Sequence, residues 1–397
     1  MKIAIISIVV PPRQGGQSNV LYRLLKGLNP KSYCLITQKY AGNLFDFNCS
    51  ERLPAPYYYV GPDNQITQWL VRIFLRLKQT YILDAITIIR SRQFRNILIK
   101  EKYDAVVACT GDLFDAPAAY LACRSLKIPF IFYAFDDYIN QWTDQQLRSF
   151  ARRYEPEFVN KAAFVIVPNE CLSRKYKRRY GISPMVIHNP VDVTDYEASI
   201  NESAKRVHTD KRIIYTGAIY DAHFDAFRNL IMALDHSDIP DVKLHLYTHQ
   251  LTAKLRKQGI SGPVVIHKAL PMNCMPAIQR SADILFLPLA FHSPFPEVIR
   301  TSAPGKIGEY LASGRPILVH SPADSFISWY FKKYNCGIVV DEDDPKKLAQ
   351  AVLHLLTDDD LKKKLIGNAY VQVRSDFDIQ KAQEKFYGIL DEMGEKG

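Results

Sequence analysis

Short apolar, β-branched runs alternate with stretches of helical periodicity along the whole chain, and the alternation comes in two series. Strands are predicted at 2–9, 32–36, 104–109, 129–133, 163–167 and 184–187, then at 212–215, 242–247, 263–266, 283–287, 315–319 and 336–339. Between them, segments such as 19–28 and 116–126 place apolar residues three and four apart, the spacing of a helix with one buried face. Strands separated by helices argue for parallel sheets covered by helices, so each series predicts one doubly wound α/β domain. At 397 residues the chain is too long for one ordinary core and suits two domains of about 180 each.

The break falls where Ile187-His188-Asn189-Pro190-Val191-Asp192 ends the first series in an Asn-Pro turn, followed by polar residues without a period. The expected division is a first domain over 1–190, a linker over 191–206, a second domain over 207–375 and a final segment over 376–397. Two charged helices, 344–356 and 358–393, are predicted at the end.

Composition excludes several classes. Hydrophobic residues at 47% against 23% charged describe a globular chain, not a disordered one. Residues 1–10 carry an apolar run ended by Pro11-Pro12, without a basic leader or a small-residue cleavage site, and read as a first buried strand instead of a signal peptide. No run approaches the ~18 apolar residues that span a bilayer, so a cytoplasmic protein is expected. The seven cysteines are odd in number and never form Cys-x-x-Cys, and the histidines show no zinc-hydrolase spacing, so neither disulfides nor a metal site is expected. Residues 1–198 hold 26 Lys and Arg against 17 Asp and Glu, whereas the remainder holds 25 against 24. A basic half without nucleic-acid motifs points to an anionic membrane surface or a phosphorylated acceptor.

The densest motif is 301–317, Thr-Ser-Ala-Pro-Gly-Lys-Ile-Gly-Glu-Tyr-Leu-Ala-Ser-Gly-Arg-Pro-Ile. It predicts a helix beginning near Pro304 whose free N–H groups favour a phosphate, with Lys306 adding a full charge. One turn on, the Glu309 carboxylate can accept two hydrogen bonds from a sugar diol. Together these suit a nucleotide diphosphate. Pro-x-Lys-x-x-Glu-Tyr-Leu-Ala-x-Gly-Arg-Pro-Ile resembles the donor-binding signature of the family 4-like retaining glycosyltransferases, and Ile187–Asp192 resembles that family's linker.

The resemblance implies the GT-B fold, two Rossmann-like domains facing across a cleft, with the last helix crossing back to the first domain. It also implies retaining transfer from a nucleotide-diphosphate sugar, a co-substrate and not a cofactor, to a glycan or lipid-linked acceptor, as in bacterial surface polysaccharide assembly. By alignment Glu309 binds the ribose, and Thr301 stands where the family has a first Glu that contacts the sugar. Ser302 and Gly305 fall in the same donor-binding stretch. Gly217, after the strand at 212–215, lies against the donor diphosphate in the family. The Arg and Lys that often follow are here replaced by Tyr220-Asp221-Ala222-His223, which leaves the diphosphate to Lys306, the helix N-terminus and Arg300. Glu297 is a further carboxylate that could replace the missing Glu if its loop folds into the cleft, against the commoner reading of an exposed loop carboxylate.

Gly15-Gly16, after the first strand, permits close approach of backbone to a ligand, though such a pair also serves as a plain turn. Asp136 and Asp137 end a buried strand, where open α/β sheets bind ligands. Asp136 is assigned with Lys306 to the catalytic set, against the alternative that one Asp caps a helix and the other is solvated. The basic run 174–179 reads as a solvated face. Between 69 and 102, Trp69, Leu70, Ile73, Phe74 and Leu77 recur at helical spacing among Arg72, Arg76 and Lys78, followed by Arg90, Arg92, Arg95, Lys100 and Lys102. This is either a buried helix with one basic face or an interfacial helix on anionic lipid at the inner face of the plasma membrane. Alternatives to the transferase are a sugar-nucleotide epimerase or hydrolase on the same fold, and a non-catalytic nucleotide-sugar-binding scaffold subunit.

Overall fold

The computed structural model describes residues 1–13, 15–38, 52–61, 64–76, 80–198, 210–235 and 241–395. They form two compact units, Met1–His188 with Gln383–Gly397, and Asn189–Ala382.

The first unit holds a seven-stranded parallel sheet of order β3-β2-β1-β4-β5-β6-β7, made of β1 (Ile3–Ile6), β2 (Tyr33–Gln38), β3 (Tyr57–Val60), β4 (Ala105–Cys109), β5 (Phe130–Tyr133), β6 (Phe164–Val167) and β7 (Met185–Val186). Its central strands are buried on both faces, which is why they read as unbroken apolar runs instead of alternating ones. Register is fixed by pairs such as Ile5 with Leu35 and Ile5 with Val107. Strand β3 was not expected. It lies at the sheet edge with Tyr59 exposed, so no buried run marks it in the sequence.

The second unit holds six parallel strands of order β10-β9-β8-β11-β12-β13, made of β8 (Lys211–Thr216), β9 (Val242–Thr248), β10 (Val264–Lys268), β11 (Ile284–Pro288), β12 (Ile317–His320) and β13 (Ile338–Val340). In each sheet the strand order reverses once, between β1 and β4 and between β8 and β11. Such switch points open a crevice at the carboxyl ends of the strands, where open α/β sheets take ligands.

Two elements differ from expectation. Part of the expected linker, Val193–Ala198, is a helix of the second unit, with Tyr196 buried and its hydroxyl donating to Gln279 Oε1 at 2.6 Å; residues 199–206 lie outside the described residues. The expected single helix over 358–393 is two, Asp359–Gln372 and Ile379–Glu395, separated by a π-turn at Val373–Phe377. The break has a backbone cause. Val191 N–H donates to Phe377 O at 2.8 Å and Ile379 N–H donates to Val191 O at 3.0 Å, so this stretch pairs with an extended neighbour instead of continuing its helix. From Gln383 the last helix belongs to the first unit, where Gln383 Nε2 and Tyr387 OH donate to the carbonyls of Arg23 and Leu24 at 2.7 and 2.8 Å. Among the described residues no helix is long and apolar enough to cross a membrane. None of the six described cysteines is in a disulfide with another; Cys49 lies outside the described residues.

Candidate functional site

At the switch point of the second sheet, β8 runs into Gly217, whose N–H donates to Tyr247 O at 2.8 Å and whose φ is +122°. A Cβ built there would stand 2.8 Å from both Cε and Nζ of Lys306. The lysine therefore occupies space that only a glycine leaves. Its ammonium lies 4.8 Å from the centre of the Tyr215 ring, a cation–π contact with a fully buried aromatic. Among the described residues no carboxylate pairs with it. His223 is also buried beside this charge; burial and the Lys306 ammonium push its pKa down to about 3, so its ring is neutral near pH 7. Its Nδ1 accepts the Tyr220 N–H at 3.4 Å.

Lys306 opens a helix of seven residues, Lys306–Ala312, two positions later than expected. Pro304-Gly305 forms a turn instead, with the Ile307 N–H donating to Pro304 O at 3.1 Å, so one of the amides expected to meet a phosphate is already committed. Ile307, Gly308, Tyr310 and Leu311 are buried and fix the helix by packing. A Cβ on Gly308 would come within 3.2 Å of Val191 Cγ1 and Phe377 Cβ. The Thr216 N–H donates to the Tyr310 hydroxyl at 3.2 Å, tying the helix to the end of β8. With that face pinned, Glu309 is partly exposed, and its Oε2 accepts Gln279 Nε2 at 3.2 Å. Lys306, Gly217 and Glu309 are thus gathered at one end of one sheet, with Gly305 capping their helix.

Four other residues weighed for the site, Thr301, Ser302, Arg300 and Glu297, make contacts of their own. Thr301 is buried, and its hydroxyl turns back on its own helix to donate to Glu297 O at 3.2 Å; Ser302 ends that helix, its N–H donating to Ile299 O at 3.3 Å. Arg300, expected to help neutralise phosphate, is paired with Glu297 and Asp324, which also accounts for the Glu297 carboxylate as an ion-pair partner.

In the first unit the carboxyl ends of β1, β4 and β5 converge. Gly15 precedes the helix Gly16–Leu25, and a Cβ added to Gly16 would meet nothing within 4 Å. Gln17, which no motif marks, binds the loops together: its Nε2 donates to Ser7 Oγ at 2.8 Å and to Thr110 O at 2.9 Å. Thr110 Oγ1 in turn accepts the N–H groups of Phe135 and Asp136 at 2.8 and 3.4 Å. Burial, and then the charge of Asp137, push the Asp136 carboxyl up to about 7.

Asp137 is neither a helix cap nor solvated. It is fully buried and accepts from Lys175 Nζ at 2.6 Å, Arg179 Nη2 at 3.1 Å and Asn140 Nδ2 at 2.7 Å, and these cations hold its pKa below the ordinary value despite burial. Arg179 also reaches buried Glu155 at 2.7 Å, which Tyr176 and Tyr180 join. The basic run 174–179 is therefore not simply a solvated face. Two of its cations point inward to carboxylates that local sequence does not reveal.

The basic stretch 69–102 divides as well. Arg90 is buried between Asp112 and Asp115, at 2.6 and 2.9 Å. On the helices Asn64–Arg76 and Tyr81–Glu101, by contrast, Ile66, Trp69, Arg72, Arg76, Tyr81, Ile88, Ile89, Arg92, Arg95 and Ile99 are exposed. The exposures of Trp69 and Tyr81 reach 62% and 60%. Leu77 and Lys78 lie outside the described residues.

Two family models match the chain: Glycosyltransferase Family 4 over residues 14–195 and Glycosyl transferases group 1 over 210–358. Among solved structures, a sucrose-phosphate synthase from Thermosynechococcus elongatus is similar at 16% identity, covering 100% of both chains with a TM-score of 0.69. Anabaena HepE in complex with UDP-glucose is 14% identical, covers 99% of this chain and 100% of its own, and has a TM-score of 0.67. A trehalose-phosphate synthase from Burkholderia vietnamiensis is 12% identical over 98% of each chain with a TM-score of 0.70. No curated protein sequence matches the chain.

Proposed function

Because the chain belongs to the glycosyltransferases of the GT-B type, its halves matching family 4 and group 1 in turn, we propose that it moves a sugar from a nucleotide-diphosphate sugar to a glycan or lipid-linked acceptor with retention at the anomeric carbon. The observation that carries this reading is the packing of Lys306 against Gly217 at the switch point of the second sheet, with Glu309 one turn further along. An ammonium that no carboxylate pairs with among the described residues, set beside backbone that carries no side chain, suits a diphosphate, and a carboxylate one turn away suits the ribose diol. HepE, solved with UDP and with UDP-glucose, supports a uridine nucleotide as the first donor to test.

In the reaction we propose, the bond from the anomeric carbon to the diphosphate oxygen breaks while the acceptor oxygen bonds the same face of that carbon. The acceptor proton passes to the leaving diphosphate oxygen. Lys306 stabilises the charge that develops on the diphosphate, the role a metal ion has in other transferases. No side chain serves as nucleophile. Asp136, whose carboxyl holds a proton near neutrality, is assigned to the acceptor side, where it can donate to or accept from a sugar hydroxyl. The exposed Trp69, Ile66, Tyr81 and Ile88 among Arg72, Arg76, Arg92 and Arg95 favour an acceptor presented at an anionic membrane surface.

The test is a calorimetric titration with UDP, GDP, ADP and dTDP, then with the matching sugar nucleotides. Selective binding of one, weakened in Glu309→Ala, is expected. With the donor so identified, Lys306→Ala should lower kcat/KM by about two orders of magnitude. No binding to any nucleotide would move the scaffold alternative to the front, and donor turnover without an acceptor would favour an epimerase or hydrolase.

A further inference from the structure

Gln279 is wholly buried in the helix Met275–Arg280, and each end of its amide is committed. Oε1 accepts the Tyr196 hydroxyl at 2.6 Å; Nε2 donates to Thr216 Oγ1 at 3.1 Å and to Glu309 Oε2 at 3.2 Å. The amide orientation has a physical basis. Turned over, it would set an oxygen against the Glu309 carboxylate, acceptor against acceptor, and would take from the Tyr196 hydroxyl the oxygen to which it donates. The network is anchored at each corner. Tyr196 is buried on the helix Val193–Ala198, whose backbone at Tyr196 O also accepts Arg280 Nη1 at 3.2 Å. Thr216 ends β8 immediately before Gly217, and its N–H is bound by Tyr310, the neighbour of Glu309 on its helix.

We infer that Gln279 is a positioning residue for nucleotide recognition: it holds one oxygen of Glu309 and so aims the carboxylate at the ribose diol. The inference rests on the ribose role proposed for Glu309. A carboxylate on a side chain with three rotatable bonds loses conformational freedom when a diol binds it, and a hydrogen bond already made at one oxygen reduces that loss beforehand. What such preorganisation sharpens is discrimination between a ribose and a sugar lacking one hydroxyl, because a fixed acceptor without its donor is left unsatisfied.

The experiment compares UDP with dUDP, GDP with dGDP and ADP with dADP by calorimetric titration of the full chain, and follows thermal unfolding in parallel. The wild type should prefer one ribonucleotide over its 2′-deoxy form. In Gln279→Met, which keeps the length and removes the donor, that preference should fall about ten-fold. Tyr196→Phe removes only the hydroxyl that fixes the amide, and should lower the preference by a smaller factor with an unfolding midpoint near the wild type; it decides the matter if Gln279→Met fails to fold. Wild-type preference retained in the folded variants, while Glu309→Ala loses it, overturns the role of Gln279 and leaves the donor site standing. Equal affinity of wild type and Glu309→Ala for every nucleotide, or no binding at all, overturns the ribose assignment and this inference with it.

Discussion

Replacing Gly217 with alanine should do two separable things, and the structure tells them apart. The new Cβ would lie 2.8 Å from Cε and Nζ of Lys306. These are the far atoms of a flexible side chain, so the clash is relieved by moving the ammonium, at little cost to folding. The stability cost comes instead from φ = +122°, a conformation an L-residue rarely adopts. Strain of this kind costs about 1–3 kcal/mol, which for a unit of this size lowers its melting temperature by roughly 2–12 °C. The functional cost comes from displacing the cation. A charge-assisted contact to the diphosphate is worth about 1.5–3 kcal/mol, so affinity for the nucleoside diphosphate should drop about ten- to a hundred-fold. A double-mutant cycle by calorimetry then isolates the route. If Gly217→Ala acts through Lys306, adding it to Lys306→Ala should weaken binding little further, because the contact is already gone. Two losses that simply add would refute the claim that the glycine exists to seat the lysine.

Three further outcomes are expected. Asp137→Ala removes the buried carboxylate that Lys175 and Arg179 share and leaves Arg179 its contact with Glu155, and should destabilise the first unit by about 3–5 kcal/mol in denaturant unfolding, whereas loss of an exposed pair would cost under about 1 kcal/mol. The Asp136 carboxyl has a folded pKa raised to about 7 from an ordinary 3.8, so its contribution to stability is fully present below pH 4 and is lost as pH rises through 7. Asp136→Asn should therefore raise stability at pH 8 relative to wild type and make no such difference at pH 4; equal shifts at both would contradict it. Flotation should recover more protein with phosphatidylglycerol vesicles than with phosphatidylcholine alone, and Trp69→Ala combined with Arg72→Glu should abolish the difference, while no preference in the wild type removes the membrane surface.

The elements that the sequence reveals are those whose partners are local. Central strands buried on both faces announce themselves as apolar runs, and Gly217 and Lys306 sit beside punctuation, a strand end in one case and Pro-Gly in the other. Strand β3 escapes because an edge strand of tyrosines has no buried run. The break before Asp378 escapes because its cause is Val191, far away in the chain. Gln17 and Gln279 escape for a similar reason. A single glutamine in a helix carries no period, and its role exists only once the sheet places neighbouring strand ends side by side.

The same limit acts on charge. Arg90, Lys175 and Arg179 count toward the basic half but point inward, to Asp112, Asp115, Asp137 and Glu155. This does not weaken the argument for an anionic partner. Setting those three cations and four carboxylates aside from the 26 and 17 of residues 1–198 leaves 23 against 13, an excess of ten where the plain count gave nine. What changes is which face the proposed partner would meet. Lys175 and Arg179 are withdrawn from the run 174–179, whereas Arg72, Arg76, Arg92 and Arg95 are exposed beside Trp69, Ile88 and Ile99. A cation flanked by exposed apolar side chains gains both electrostatic attraction and apolar burial at a lipid interface, and a cation already spent on a buried carboxylate gains neither.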